Sequence, residues 1–278
     1  MTLRILMVGS ETRDEREARR KRSGASSAES YRETLRAMAP EIECRLVSCL
    51  SEEATPSQAE MAGFDAVIFA GSPIQMHDED EDTRSAARFA LEVFDAGLPS
   101  FGSCAGLQIA AVAAGGRVRP RKPRMEAAFV RHIAPTDAGR GHPLLAGRPL
   151  SWDAPAMHSS EVVRLPDGAR VLAGTVDTPV EAIEIRRGDG VFWGVQYHPE
   201  LSLEEIAASL RSQAEDLVEE GLAREPSEVS DYADLVETLG REPDRRDLAW
   251  RLGLDREVTD AERRRREIRN FLNHLAGR

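Results

Sequence analysis

The chain has 278 residues, a formal net charge of −11, and 31% charged against 41% hydrophobic side chains. That balance fits one large folded domain, or one domain with an appendage, and excludes a fibrous or low-complexity chain. The acidic excess argues against a nucleic-acid-binding face, which needs Lys and Arg concentrated on one surface; acidic residues surround the basic runs at 16–22 and 263–266.

The opening MTLRILMVGS is too short an apolar run for a signal peptide, and no stretch reaches membrane-spanning length. A cytoplasmic protein without membrane contact is expected. LRILMVG (3–9) reads as a buried strand, and the polar stretch 10–27 as a surface loop or mobile flap. Residues 31–38 then read as a helix, 42–49 and 65–71 as strands, and 84–94 as a helix; a further helix starts near Cys104 and stops at Gly115-Gly116. Strands alternating with helices predict an α/β fold with a parallel sheet. From 117 to 197, segments such as AAFVRHIA, VEAIEI and VFWGVQY suit antiparallel or edge strands of the same sheet. Beyond Glu200 the pattern turns helical. Ser202 and Glu205 form a capping box, Ile206, Leu210, Ala214 and Leu217 share a face, and Ile268, Phe271, Leu272 and Leu275 make a second stripe. Gly240 and Pro243 are expected to break the region between, so the chain divides into a main body (1–201) and a helical C-terminal extension (202–278).

Three stretches carry chemistry. Gly102-Ser103-Cys104-Ala105-Gly106 has the form of a nucleophile elbow between a predicted strand and helix. Glycines there leave room for a sharp turn, and the helix N-terminus favours a thiolate and an oxyanion. A small buried thiol, or a phosphate-cradling turn, fits the same residues. In VQYHPE (195–200), His198 and Glu200 lie two apart on an extended chain, so a carboxylate can orient an imidazole; a structural histidine is the alternative. Gly71-Ser72-Pro73 follows another strand, and the backbone amides of Ser72 and Ala105 would suit an oxyanion; an ordinary turn is the alternative. Cys44 and Cys49 read as inert thiols, with no disulfide set or CxxC pair in the chain. His77, His132, His142 and His158 lack metal-ligand spacing and read as structural, so no metal site is expected. No Walker-type phosphate loop is present, which places any ATP chemistry on another polypeptide.

Together these motifs resemble the class I, or triad, glutamine amidotransferases, and most of all stand-alone members similar to the amidotransferase domain of GMP synthase. The family's Gly-x-Cys-x-Gly-x-Gln appears as Gly102, Cys104, Gly106 and Gln108, its His-Pro-Glu as His198, Pro199 and Glu200, and its Gly-Gly-Pro as Gly71, Ser72 and Pro73. The resemblance covers roughly residues 3–201 and implies a doubly wound, mostly parallel, flavodoxin-like sheet. It implies Cys104 as nucleophile, His198 as base and acid, and Glu200 as orienter. Gly71, Gln108 and the stretch 157–162, with Ser159 in it, fall where relatives touch bound glutamine.

The reaction so implied is hydrolysis of the L-glutamine side-chain amide through a Cys104 thioester, without metal or organic cofactor, supplying ammonia to a partner synthetase or ligase. The resemblance leaves room for a homo-oligomer. A γ-glutamyl hydrolase or peptidase is the rival enzyme, and a low-turnover regulatory binding subunit the rival from another class. Ser72 replaces the commoner glycine, Leu107 stands where many relatives have histidine, and both the 10–27 stretch and the tail are longer than usual. The two substitutions remove no catalytic chemistry, and the longer stretch and tail bear on the acceptor and not on the triad.

Overall fold

Alternate residues of RILMVG feed two different cores. Ile5 and Met7 enter one layer, Leu6 and Val8 the other, so this strand is covered on both faces and reads as a continuous apolar run. It is β1 (Arg4–Gly9) of a computed structural model that describes residues 2–51, 55–122 and 125–277. The chain continues as α1 (Arg13–Ser23), α2 (Ser27–Met38), β2 (Glu43–Ser48), α3 (Gln58–Met61), β3 (Ala66–Phe69), α4 (Glu81–Asp95), β4 (Ser100–Ser103) and α5 (Ala105–Ala113). Strands β5 (Arg117–Pro120), β6 (Glu126–Pro135), β7 (Trp152–His158), β8 (Ser160–Arg164), β9 (Ala169–Gly174), β10 (Ala182–Arg187) and β11 (Gly190–Val195) follow.

Nine of these strands form one sheet in the order β2-β1-β3-β4-β11-β10-β9-β6-β7, and β5 pairs with β8 separately. The five strands from β2 to β11 run parallel, and the rest of the sheet is antiparallel. This is the doubly wound, flavodoxin-like α/β arrangement expected. VFWGVQY contributes β11, which sits at the sheet centre, parallel to β4 and antiparallel to β10. One face of the sheet is covered by α2, and the other by α4 and α5. Each covering helix follows its sequence pattern: Tyr31, Leu35 and Met38 make the buried stripe of α2, and Ala86, Phe89, Ala90 and Val93 that of α4.

One expectation fails and another holds. The 10–27 stretch is not a loop: residues 13–23 form α1, an eleven-residue helix with no buried residue. A Thr12–Glu15 capping box starts it and Gly24, at φ 83°, ends it. The break expected at Gly240 and Pro243 is found: the helix over 226–241 ends one residue after Gly240, and the next begins at Arg246.

The C-terminal helices are α6 (Leu203–Ser212), α7 (Ala214–Glu219), α8 (Pro226–Arg241), α9 (Arg246–Leu252), α10 (Arg256–Thr259), α11 (Ala261–Arg264) and α12 (Arg266–Ala276). Ile206, Leu210 and Leu217 join Val229, Ala233 and Val236 of α8 in a third core that also holds Phe129 of β6. The last helix behaves differently. Ile268, Phe271, Leu272 and Leu275 of α12 complete the core of the first sheet face, with Phe271 and Phe101 ring centroids 5.5 Å apart. No helix among the described residues is long and apolar enough to cross a membrane.

A buried ion pair fastens this return. Arg148 places Nε 2.6 Å from Glu267 Oε1 and a terminal nitrogen 2.7 Å from Glu257 Oε2, and Tyr197 donates its hydroxyl to Glu267 Oε1 at 2.9 Å. Removing one partner of such a pair strands the other charge, at a cost of roughly 3–5 kcal/mol. Arg148→Met is therefore expected to lose about that much stability in urea unfolding followed by tryptophan fluorescence, because Trp152 and Trp193 lie in the same core. A loss under about 1 kcal/mol would contradict this coupling.

Candidate active site

Every residue of β4 is buried, and the chain must turn sharply into α5. Cys104 makes that turn at φ 51°, ψ −108°, a conformation a side chain rarely adopts and that costs on the order of 1–3 kcal/mol. The surroundings enforce it. The Cys104 N–H donates to the Val195 carbonyl at 2.8 Å, fixing the elbow to β11. A Cβ on Gly106 would fall 2.5 Å from the Phe69 carbonyl oxygen, and one on Gly102 would fall 2.8 Å from the Gly106 carbonyl carbon. Only glycine fits either position. Cys104 is buried, with Sγ 3.8 Å from the Met157 carbonyl oxygen.

His198 and Glu200 follow the end of β11, the strand paired with β4. The His198 N–H donates to the Pro155 carbonyl at 2.7 Å, and Nδ1 lies 2.7 Å from Glu200 Oε1. Thr34 of α2 donates its hydroxyl to the Glu200 carbonyl at 3.3 Å. Burial pulls the imidazole toward its neutral form. The Glu200 carboxylate, then the charge and hydrogen bond of Cys104, outweigh that and raise its pKa from 6.5 to about 10. The ring stands between carboxylate and sulfur, as proton transfer requires.

The turn after β3 closes over this pair. A Cβ at Gly71 would lie 2.7 Å from His198 Cε1 and 3.6 Å from Cys104 Cβ, so the backbone passes directly against the ring. Ser27 donates its hydroxyl to the Gly71 carbonyl. Ser72, the departure from the family's glycine, has its Oγ 2.7 Å from Ser10 Oγ and accepts the Ile74 N–H at 3.3 Å. Its side chain thus ties β3's turn to that of β1. Ala105 is the first residue of α5, where backbone N–H groups have no intrahelical partner. Leu107, the other departure, is buried in the core beneath α4.

Cys104, His198, Gly71, Ser72, Ala105, Gln108 and Ser159 all line one cavity of about 420 Å³. Glu200 sits behind the ring, outside the lining. Gln108 spends its amide hydrogens inside the protein, donating at 3.1 Å to both the Ser160 carbonyl and Gln196 Oε1. The Ser159 hydroxyl is 3.5 Å from Gln75 Oε1. Sequence reasoning missed the far wall of this cavity, which α1 builds with Glu15, Ala18, Arg19 and Arg22, and Ser209, Gln213 and Asp216 build opposite. The signal was present in the Thr12–Glu15 capping box and in Gly24.

Behind the wall lies a second titratable group. His158 has Nε2 2.9 Å from Glu126 Oε2 and Nδ1 3.0 Å from the Ser160 carbonyl, so its role is to hold the strand end. Glu181 is fully buried; burial, then the Glu126 charge, push its carboxyl well above 4.5. Burial also acts to raise Glu126, but His158 and Arg121 outweigh it and lower that group. Glu126, His158 and Glu181 bring ligand-type atoms within 4.8 Å of one another. Both His158 nitrogens are already bonded, and Arg121 stands 3.8 Å from Glu126 as the local cation.

A family model described as glutamine amidotransferase class-I matches residues 24–214. The chain is 32% identical to a gamma-glutamyl-L-1-hydroxyisopropylamide hydrolase from a Pseudomonas species, over 98% of this chain and 93% of that protein. It is 33% identical to the glutamine-hydrolyzing GMP synthase of Leifsonia xyli over 49% of this chain, spanning 25% of that longer enzyme. A solved glutamine amidotransferase from Thermotoga maritima superposes over the whole of both chains with a TM-score of 0.67 at 12% identity. One from Methylobacillus flagellatus gives 0.61 at 16% identity, over 97% of this chain and 94% of the other. At these identities the likeness is one of fold. With the model matching well over half of the residues and a relative aligned along nearly all of them, the chain belongs to the class-I glutamine amidotransferase family of cysteine-dependent amidohydrolases.

Proposed function

We propose that the protein hydrolyses the side-chain amide of γ-glutamyl compounds through a thioester on Cys104, L-glutamine being the smallest such substrate. The observation that carries this reading is a cysteine held at positive φ beside an imidazole whose far side is bonded to a carboxylate. Cys104 Sγ attacks the γ-carbonyl carbon. The Ser72 and Ala105 amides receive the oxyanion, each contributing on the order of 3 kcal/mol. The His198 imidazolium gives its proton to the departing nitrogen, the C–N bond breaks, and the amine leaves. Water then attacks the thioester and passes a proton to His198, glutamate departs, and the starting pair is restored. Gly71, Gln108 and Ser159 border the glutamyl group. These steps need no metal ion or organic cofactor.

Two features favour an amine larger than ammonia. The cavity runs past the triad to α1 and the α6–α7 junction, and the relative aligned along nearly all of this chain is named for a substituted γ-glutamyl amide. We assign the chemistry to residues 1–201, with 202–278 closing one side of the cavity. The second reading is a glutamine amidotransferase that hands ammonia to a partner synthetase or ligase, supported by the likeness to GMP synthases.

Steady-state kinetics separate the two. We expect kcat/KM at least about tenfold higher for a γ-glutamyl amide of a larger amine than for glutamine, with Cys104→Ala silent on both. A preference for glutamine that strengthens when a synthetase is added would favour the second reading.

The raised pKa of His198 has a definite sign. The protonated ring contributes stability in full below about pH 6.5, and that contribution is lost as the pH rises through about 10. Glu200→Gln removes the carboxylate that outweighs burial, so the alkaline limb of kcat/KM should move from near pH 10 toward the ordinary histidine range. The variant should also lose roughly 10²–10⁴-fold in kcat. An unmoved limb would show that Glu200 does not set the ring's charge.

A further inference from the structure

Helix α1, RDEREARRKRS, buries no residue, so it gains little from a core. It is nevertheless fixed. Its first turn is capped by Thr12, its last by Gly24, whose N–H donates to the Arg20 carbonyl at 2.8 Å. Arg20 grips Glu29 of α2 with two bonds of 2.9 and 2.7 Å. Arg16 of the same helix donates to the Glu11 carbonyl at 2.8 Å. Residues 15, 18, 19 and 22 share one face by helical spacing, and all four line the cavity that contains Cys104.

Two cations therefore look into the cavity. Among the described residues, neither the Arg19 nor the Arg22 guanidinium makes a hydrogen bond or ion pair, and Arg19 Nε is buried without a partner. In a chain of net charge −11 such guanidiniums normally find carboxylates. The carboxyl groups nearby are committed or peripheral. Glu15 Oε2 accepts both the N–H and the hydroxyl of Thr12, at 2.7 and 2.9 Å. Glu11 Oε2 accepts the Ser27 N–H at 2.9 Å, and burial raises that carboxyl against the pull of Ser27 and Arg19. Asp216 is exposed on the opposite rim.

We propose that Arg19 and Arg22 form a carboxylate-binding subsite for the leaving amine, so that the preferred substrates are γ-glutamyl amino acids and small γ-glutamyl peptides. This rests on the γ-glutamyl hydrolase reading above. The scissile amide sits at the Cys104 end of the cavity, and the amine's own carboxylate reaches the α1 end. Ser209 and Gln213 on the facing wall supply neutral hydrogen-bonding groups to the span between. Planar guanidiniums suit the far carboxylate because they offer paired donors in its plane.

γ-Glutamylglycine and γ-glutamylglycinamide differ only in whether that far group is charged. Both are assayed on the wild type and on the double variant Arg19→Gln, Arg22→Gln, with thermal melting to report that the variant is folded. The wild type should favour γ-glutamylglycine by about tenfold or more in kcat/KM, mainly through KM, the scale of one hydrogen bond to a charged group. The preference should shrink with added salt, and the ratio should fall near one in the double variant. Equal kcat/KM for the two substrates in the wild type, or an unchanged ratio in the variant, overturns the subsite while leaving the hydrolase reading standing. If the wild type cleaves neither and Cys104 carries no acyl group, both fail.

Discussion

The strained backbone of Cys104 is the constraint on which the rest of the site depends. A non-glycine residue at φ 51° persists only where the structure around it over-determines the turn. Here β4 is hydrogen-bonded to β3 on one side and to β11 on the other, and the carbonyl of Val195 in β11 holds the Cys104 N–H. The same two neighbours deliver the other parts. β3 leads into Gly71 and Ser72, and β11 runs on to His198 and Glu200, so the strand order gathers all of them at the carboxyl ends of three adjacent central strands. Glycines at 71, 102 and 106 are the corollary of that convergence, because each faces backbone or ring at distances no Cβ tolerates.

The C-terminal helices act on the same point from outside. Glu267 of α12 accepts the hydroxyl of Tyr197, the residue before His198, while pairing with the buried Arg148. The chain leading to the His198 ring is thus held both by its own strand and by a helix about seventy positions later. On the other side, α1 and the α6–α7 junction wall the cavity. The open ends of those strands become a bounded chamber through these flanking helices. A chamber with a polar far wall suits a ligand with polar groups along its length, and the proposed preference for a larger leaving amine rests on that.

What the sequence made legible was local. The elbow, the His-x-Glu pair and the turn at Gly71 are each written within a few residues, and the buried strands announce themselves as apolar runs. What it hid was set by long-range placement. Helix α1 has no apolar stripe because its inner face lines the cavity and not a core, so a search for hydrophobic periodicity passes over it, although its capping residues are in plain view. The grouping of Glu126, His158 and Glu181 joins three separate strands or strand ends, a proximity that no spacing rule anticipates. The apolar stripe of α12 was visible, yet nothing local shows that it closes the first core.

The central claim is that Cys104 carries the glutamyl group during turnover, and the most direct measurement is the mass of the protein trapped in the act. Acid quenching during steady-state cleavage of a γ-glutamyl amide, followed by intact-mass and peptide analysis, should show one γ-glutamyl group on the peptide containing Cys104. Glutamate release with the adduct on another residue would contradict the account outright, as would turnover that persists when Cys104 is replaced by alanine.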